Sequence, residues 1–231
     1  MRKDIRICLL SYQSLHRKTI DTMMRLKMYG YVYVCVYAKP FHYQKKYIPL
    51  VEHRPTVSAF DSWNDFGYVE VIRNLGYALK NISDYNEIQE DSSCIFLICG
   101  AGIIPQSVIQ RYRIINAHPG YIPVVRGLDS LKWAIVEGSP IGVTTHILGD
   151  YVDAGDIIER RKVPIYNNDT FHTVAYRQYE MEVQMLVQAV EQADHISFFT
   201  DGEDYLVHRR MPNEVEKSLY KMFEQYKSQM H

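Results

Sequence analysis

Two hydrophobic patterns take turns along this chain: short unbroken apolar runs, and apolar residues spaced three and four apart. Residues 5–10 are apolar on both faces, as a central parallel strand is. Residues 14–29 follow with Leu15, Ile20, Met23, Met24 and Leu26 at helical spacing, and Gly30 ends the run. A second strand is predicted at 31–37. The polar, basic and aromatic stretch 39–58 contains Pro40, Pro49 and Pro55 and reads as loop. A helix is predicted over 65–80, a buried strand over 94–99, and a tight loop, GAGIIP, over 100–105. A helix at 106–111 and a strand at 112–116 complete the alternation. That order predicts an α/β fold, a Rossmann-like and mostly parallel sheet flanked by helices.

Beyond this point the pattern changes. A helix over 127–138 carries Leu131, Trp133 and Ile135 and stops at Gly138. Strands at 141–148 and 157–165 flank an acidic loop as an antiparallel pair. A long helix over 169–193 begins at capping residues 168–170 and carries Phe171, Val174, Met181, Met185, Leu186 and Val190. The tail reads as a short strand pair, ISFFTDG and DYLVHRRMP about a turn, then a charged helix at 213–228. The expected boundary lies near 194–196, dividing a main domain, 1–194, from a C-terminal appendage, 195–231.

Composition narrows the function classes. A net charge of −1 over 231 residues gives no polyanion footprint, so nucleic acid is not an expected partner. No apolar run reaches membrane-span length and the start is too short and strand-like for a signal peptide, so a cytoplasmic protein with no membrane partner is expected. Cys8, Cys35, Cys94 and Cys99 each fall in a predicted strand segment, without CxxC spacing. They read as small buried apolar residues in a reducing compartment, and neither they nor the histidines predict a metal. Nucleotide signatures of the GxGxxG and GxxxxGK[ST] types are missing, as is the GxSxG elbow.

The candidate chemistry lies in two segments. In INAHPGYIPVVRG (115–127) an apolar run ends at Asn116 and His118; in GVTTHILGDYVDAGDII (142–158) a strand gives way to a loop carrying Asp153. An amide, an imidazole and a carboxylate are the parts needed to pass an acyl group to an amine. The amide donates to a developing oxyanion, the imidazole stabilises it or moves a proton, and the acid orients the imidazole. Each residue alone has a plainer reading: an Asn capping a turn, a structural His before Pro, an Asp fixing a loop. His146 reads equally as a core histidine supporting the site.

NAHPG (116–120), the Arg-Gly of VVRG (124–127), GVTTH (142–146) and YVDAG (151–155) occur together and in order. On these motifs the chain resembles the folate-dependent formyltransferase family, which includes glycinamide ribonucleotide, methionyl-tRNA and sugar N-formyltransferases. The similarity of element order extends over about residues 1–190. The resemblance implies that Asn116, His118 and Asp153 are the catalytic triad and that N10-formyltetrahydrofolate is the formyl donor. It places the folate at Gly100, Ala101, Gly102, Ile103 and Ile104, with loop 148–153 and Asp150 as the other wall. The family often has Ser-Leu-Leu-Pro after the histidine, where this chain has Pro119, Gly120, Tyr121, Ile122 and Pro123. Here Gly120 and Tyr121 alter the floor beside the imidazole, which bears on acceptor geometry. Arg126 is expected to hold the loop rather than touch substrate.

For the acceptor, the resemblance disfavours methionyl-tRNA, because the family's tRNA enzymes carry a further barrel of about a hundred residues. Glycinamide ribonucleotide is the alternative. Its enzymes hold phosphate on a glycine-rich turn after the first strand, and SYQSLHRK (11–18) has no glycine. A nucleotide-linked amino sugar, a dTDP- or UDP-4-amino-4,6-dideoxyhexose, fits better by analogy, with products entering surface polysaccharide or flagellar glycans. Lys45, Lys46, His53 and Arg54 among aromatics are the candidate anion-binding residues, with Tyr121 beside the histidine. The tail resembles the dimerisation element of small sugar N-formyltransferases, so a homodimer is expected. The other-class alternative is a catalytically silent folate- or nucleotide-binding dimer.

Overall fold

The computed structural model describes residues 4–41, 48–54 and 67–229. They divide into two compact units. One comprises 4–41, 67–116 and 186–194; the other comprises 48–54, 117–185 and 195–229.

In the first unit, β1 (Ile7–Tyr12) is the buried strand that its unbroken apolar run predicts, with Leu9 and Leu10 fully enclosed. The helix α1 (Arg17–Met28) buries Thr19, Met23 and Leu26 along one stripe. Gly30, at φ 83°, ends it: Tyr31 N–H closes back on the Leu26 carbonyl, a bond that needs the left-handed backbone glycine adopts cheaply. The chain continues through β2 (Val34–Lys39), α2 (Tyr68–Asn74), β3 (Ala78–Asn81), a turn of 3-10 helix at Tyr85–Glu87, β4 (Ile95–Ile98), α3 (Gln106–Ile109) and β5 (Arg113–His118). Five parallel strands run in the order β3-β2-β1-β4-β5. The mostly parallel α/β sheet is therefore present. The predicted helix over 65–80 is too long. Gly76 stops it as Gly30 stops α1, and Ala78–Asn81 becomes an outermost strand whose exposed side chains need no apolar pattern.

In the second unit, β6 (Arg126–Gly127) precedes α4 (Ser130–Glu137). The strands β7 (Gly142–Ile147) and β8 (Gly155–Lys162) form the predicted antiparallel pair, and α5 (Phe171–Gln188) follows. The tail gives β9 (Phe198–Thr200), β10 (Val207–His208), α6 (Asn213–Glu216) and α7 (Leu219–Ser228). The two tail strands do not form the predicted pair. β9 joins β8 antiparallel, and β10 joins β6 in parallel, with Val207 opposite Arg126. Close approach selects glycine at 127, since a Cβ there would stand 2.3 Å from the His208 carbonyl oxygen.

Nor is the tail a loose appendage. Leu219, Phe223 and Tyr226 of α7 share one buried cluster with Leu131 and Ile135 of α4, Ile141, Val163 and Phe171. Two buried charge contacts reinforce the packing. Lys132 pairs with Glu216, whose second oxygen accepts from the Leu50 and Val51 amides at 2.6 and 3.2 Å. Asp129 accepts from Arg210 at 3.0 Å and from the Met211 amide at 2.9 Å.

Candidate functional site

β5 ends on Asn116, Ala117 and His118. Asn116 and His118 are two residues apart on one strand, so they project to the same side of it. Asn116 is half-buried and His118 is buried. The chain then turns sharply through 119–125, with a cis peptide between Ile122 and Pro123. Side chains from β7 and α5 pin this turn. Thr144 Oγ1 donates to the Gly120 carbonyl at 2.8 Å and accepts from Ile122 N–H at 3.1 Å. Gln178 Nε2 donates to the carbonyls of Pro119 and Gly142, both at 3.0 Å.

The imidazole of His118 is held at both nitrogens. Nε2 lies 3.1 Å from Ser130 Oγ, and Nδ1 lies 3.5 Å from Asp153 Oδ2. Ser130 Oγ also stands 2.9 Å from the Gly127 carbonyl. When the hydroxyl hydrogen points there, Oγ is left to accept from His118 Nε2–H. Gly120 closes the space on another side. A Cβ at that position would come 2.5 Å from His118 Nε2 and 2.5 Å from the Val125 carbonyl oxygen. The ring thus packs against bare backbone at Gly120.

Asp153 sits at φ 45°, a left-handed conformation uncommon for a residue with a side chain and best tolerated by Asn and Asp. The carboxylate accepts from the Gly127 amide at 3.0 Å through the oxygen that faces His118. Its other oxygen lies 4.0 Å from His146 Nε2. Burial pushes the His146 imidazole down to about 4, against the opposing pull of Asp153, so it is neutral at pH 7. The Asp153 loop is fixed from outside by Arg126, which donates to the Val152 carbonyl at 2.6 Å and to those of Gly202 and Asp201 at 2.5 and 3.2 Å. The arginine is buried and has a structural role.

The remaining sequence-predicted residues fall as follows. Gly100 begins its loop with an amide bonded to the Leu10 carbonyl, and a Cβ there would strike the Tyr12 ring at 2.6 Å. At Gly102 no atom lies within 4 Å of a Cβ position, Ile103 is 97% exposed, and Ile104 is buried. Exposed peptide groups beside a bare apolar side chain make a surface that a flat heterocycle can cover. Asp150 is exposed in its loop. Tyr121 packs its ring against Gly142 and under the Arg160 guanidinium, 4.6 Å from the ring centre. The Arg54 guanidinium grips the buried Glu182 carboxylate through two bonds, 2.5 and 3.0 Å. His53 beside it is driven down to about 3 by burial and by Lys132, Arg54 and Arg210. Lys45 and Lys46 lie outside the described residues.

Sequence reasoning missed Ser130. A serine opening a helix reads as a cap, and nothing local reveals that its hydroxyl faces a histidine twelve residues back.

Residues 80–190, which include Asn116, His118 and Asp153, match the model of the family described as formyl transferase. The match covers 111 of the chain's 231 residues. Two curated relatives align over part of this chain. A methionyl-tRNA formyltransferase of Ehrlichia ruminantium is 30% identical over 131 residues, covering 55% of this chain and 43% of that protein. A dTDP-4-amino-4,6-dideoxyglucose formyltransferase of Mycobacterium bovis is 31% identical over 98 residues, 42% of this chain and 39% of that protein. The matched part of the chain thus spans less than half the length of either. The fold extends further than the formyl transferase match. It superimposes on an N-formyltransferase of Helicobacter canadensis, solved with folinic acid and dTDP-3-aminofucose, at a TM-score of 0.61 and 14% identity, covering 95% of this chain and 80% of that one. No helix among the described residues is long and apolar enough to cross a membrane.

Proposed function

We propose that the protein transfers a formyl group from N10-formyltetrahydrofolate to the amino group of a nucleotide-linked amino sugar of the dTDP- or UDP-4-amino-4,6-dideoxyhexose class. The observation that carries the reading is the His118 imidazole, buried and held between Ser130 and Asp153 at the end of the strand that bears Asn116. Bound folate supplies a formyl carbon already activated towards amines. Asn116 offers a neutral N–H to the formyl oxygen as negative charge develops there, and one such donor is worth roughly 3 kcal/mol of barrier. His118 stabilises the same charge or carries the proton that the attacking amine sheds, and Asp153 fixes the ring's orientation. The pterin is assigned to the backbone of Gly100 to Ile104 and to Asp150. Tyr121 is assigned to the acceptor. Because Arg54 is already committed to Glu182, the diphosphate is assigned to Lys45 and Lys46 on their chemistry alone, with His53 and Arg54 following in the sequence.

Asn116→Ala and Asp153→Asn should keep the wild-type circular dichroism and lose roughly 10²- to 10⁴-fold in formyl transfer to a dTDP-linked 4-amino sugar. Near-wild-type rates in both variants would remove the triad. Thermal shifts with dTDP, UDP and glycinamide ribonucleotide distinguish the sugar-nucleotide reading from the purine one. Stabilisation by the ribonucleotide alone would reverse the choice.

The homodimer belongs to this reading too, through the outward apolar residues of the tail: Ile196, Phe199, Tyr205, Leu206 and Val207, all exposed. Phe199→Lys with Leu206→Lys should give monomers on light scattering. A monomeric wild-type protein would end that part of the proposal.

A further inference from the structure

The first unit holds a second group of chemistry-bearing side chains, at the opposite end of β4 from the GAGIIP loop. Cys8 on β1 and Cys35 on β2 are direct register partners, so their side chains leave the same face of the sheet. Cys8 is also level with Phe96 on β4. Cys94, two residues before Phe96, therefore emerges on that face as well. Glu90 reaches the same place from the segment preceding β4. Cys8 Sγ, Cys94 Sγ and a Glu90 carboxylate oxygen all lie within 4.8 Å of one another. Contraction by no more than about an ångström would bring the two sulfurs to their separation in a tetrahedral thiolate site with metal–sulfur bonds of about 2.3 Å.

Two features distinguish this group from cysteines that merely fill a core. Glu90 is oriented from behind: Lys80 Nζ donates to its Oε1 at 2.6 Å and the Tyr37 hydroxyl donates to the same oxygen, leaving Oε2 as the ligand-capable atom. Carboxylates that ligate metals have such supporting partners. The group also has an entry path, since Cys8, Cys35, Cys94 and Glu90 line one cleft of about 400 Å³ with Arg6, Val34 and Ala78.

We propose that Cys8, Cys94 and Glu90 form a binding site for a thiophilic divalent cation of the Zn²⁺ class, with Cys35 beside the fourth position. Two soft thiolates and one carboxylate on ordered backbone suit a filled-shell ion without redox chemistry. Binding converts two thiols to thiolates and releases their two protons to solvent. The ion ties β1 to the entry of β4. Cys8 lies more than eighty residues from Glu90 and Cys94, with no CxxC or His-x₃-His spacing, so only the fold brings the three together.

The full chain, stripped with chelator and kept reduced, is titrated with Co²⁺ alone. The expected result is a sulfur-to-cobalt charge-transfer absorption saturating at one equivalent, release of about two protons, and displacement by Zn²⁺. Cys8→Ser and Cys94→Ser should each abolish that absorption, Glu90→Gln should weaken binding at least about tenfold, and Cys99→Ser should leave it unchanged. No charge-transfer absorption in the wild type overturns the site whatever the variants do. An absorption undiminished in both Cys8→Ser and Cys94→Ser overturns it as well.

Discussion

Each of the two units is stabilised internally by different means. In the first, parallel strands carry their own signal: each apolar run is long enough to be enclosed on both faces, and its neighbours are fixed by register. In the second, an apolar cluster drawn from α4, α5 and α7 is reinforced by buried polar contacts between residues far apart in sequence. Lys132 with Glu216, Asp129 with Met211, and Gln178 with two carbonyls are examples. A unit of the first kind should lose stability in small increments under substitution. One of the second kind should fail abruptly at a few positions.

Glu216→Ala is the severest test of that difference. It leaves the Lys132 ammonium, fully buried, without its carboxylate, a change that costs about 3–5 kcal/mol. Urea unfolding should show this loss. The double variant Lys132→Met with Glu216→Leu should recover most of it, since an apolar pair of similar volume is close to neutral. An equal loss in the double variant would mean that the Leu50 and Val51 amides, not the ion pair, make Glu216 indispensable. Truncation after Asp194 removes the same carboxylate together with Leu219, Phe223 and Tyr226. It should yield unfolded chain rather than the folded monomer that a separable appendage would give.

This contrast also decides what was legible in the sequence. The parallel strands, the β7–β8 pair and the segments holding Asn116, His118 and Asp153 all stood out, because periodicity and local motifs are properties of neighbouring residues. β3 did not, because an outermost strand has no need of apolar alternation. The tail's strand partners did not either, since β9 and β10 pair with β8 and β6, segments more than forty residues away in sequence. Arg54 read as a phosphate ligand because the buried Glu182 it grips lies 128 residues away.

Within the site, Gly120 should be the most sensitive position that performs no chemistry. Gly120→Ala puts a methyl group 2.5 Å from both the His118 ring and a backbone carbonyl, and neither is the free end of a flexible chain. Overpacking of this kind costs about 1–3 kcal/mol, and relief has to come from moving the imidazole. Turnover should therefore fall by more than the loss of stability accounts for. Unchanged turnover in a destabilised variant would show that the ring keeps its place.

The buried neutral His146 gives a pH signature. Its folded-state value, about 4, lies below its ordinary 6.5, so below pH 6.5 the unfolded chain binds a proton that the folded chain refuses. The stability it permits is complete above pH 6.5 and is lost as pH falls toward 4, an effect of about 3 kcal/mol at most. The urea midpoint should drop across that window in the wild type and drop less in His146→Gln. Parallel curves would assign the acid loss to other groups.

Ser130→Ala should have the smallest effect and speaks most directly to how the site is built. The hydroxyl bridges His118 Nε2 and the Gly127 carbonyl, so its loss removes one neutral hydrogen bond at each, about 1 kcal/mol in all. A serine that only capped α4 would change stability and leave the catalytic pH profile alone. A serine that sets the proton arrangement of His118 must do more, because without it only Asp153, at 3.5 Å, still holds the ring. In Ser130→Ala, kcat should fall about tenfold with the acceptor KM nearly unchanged and the pH profile displaced, and Ser130→Thr should restore both. Loss of stability with an unaltered profile would return Ser130 to the role its position in the sequence suggests.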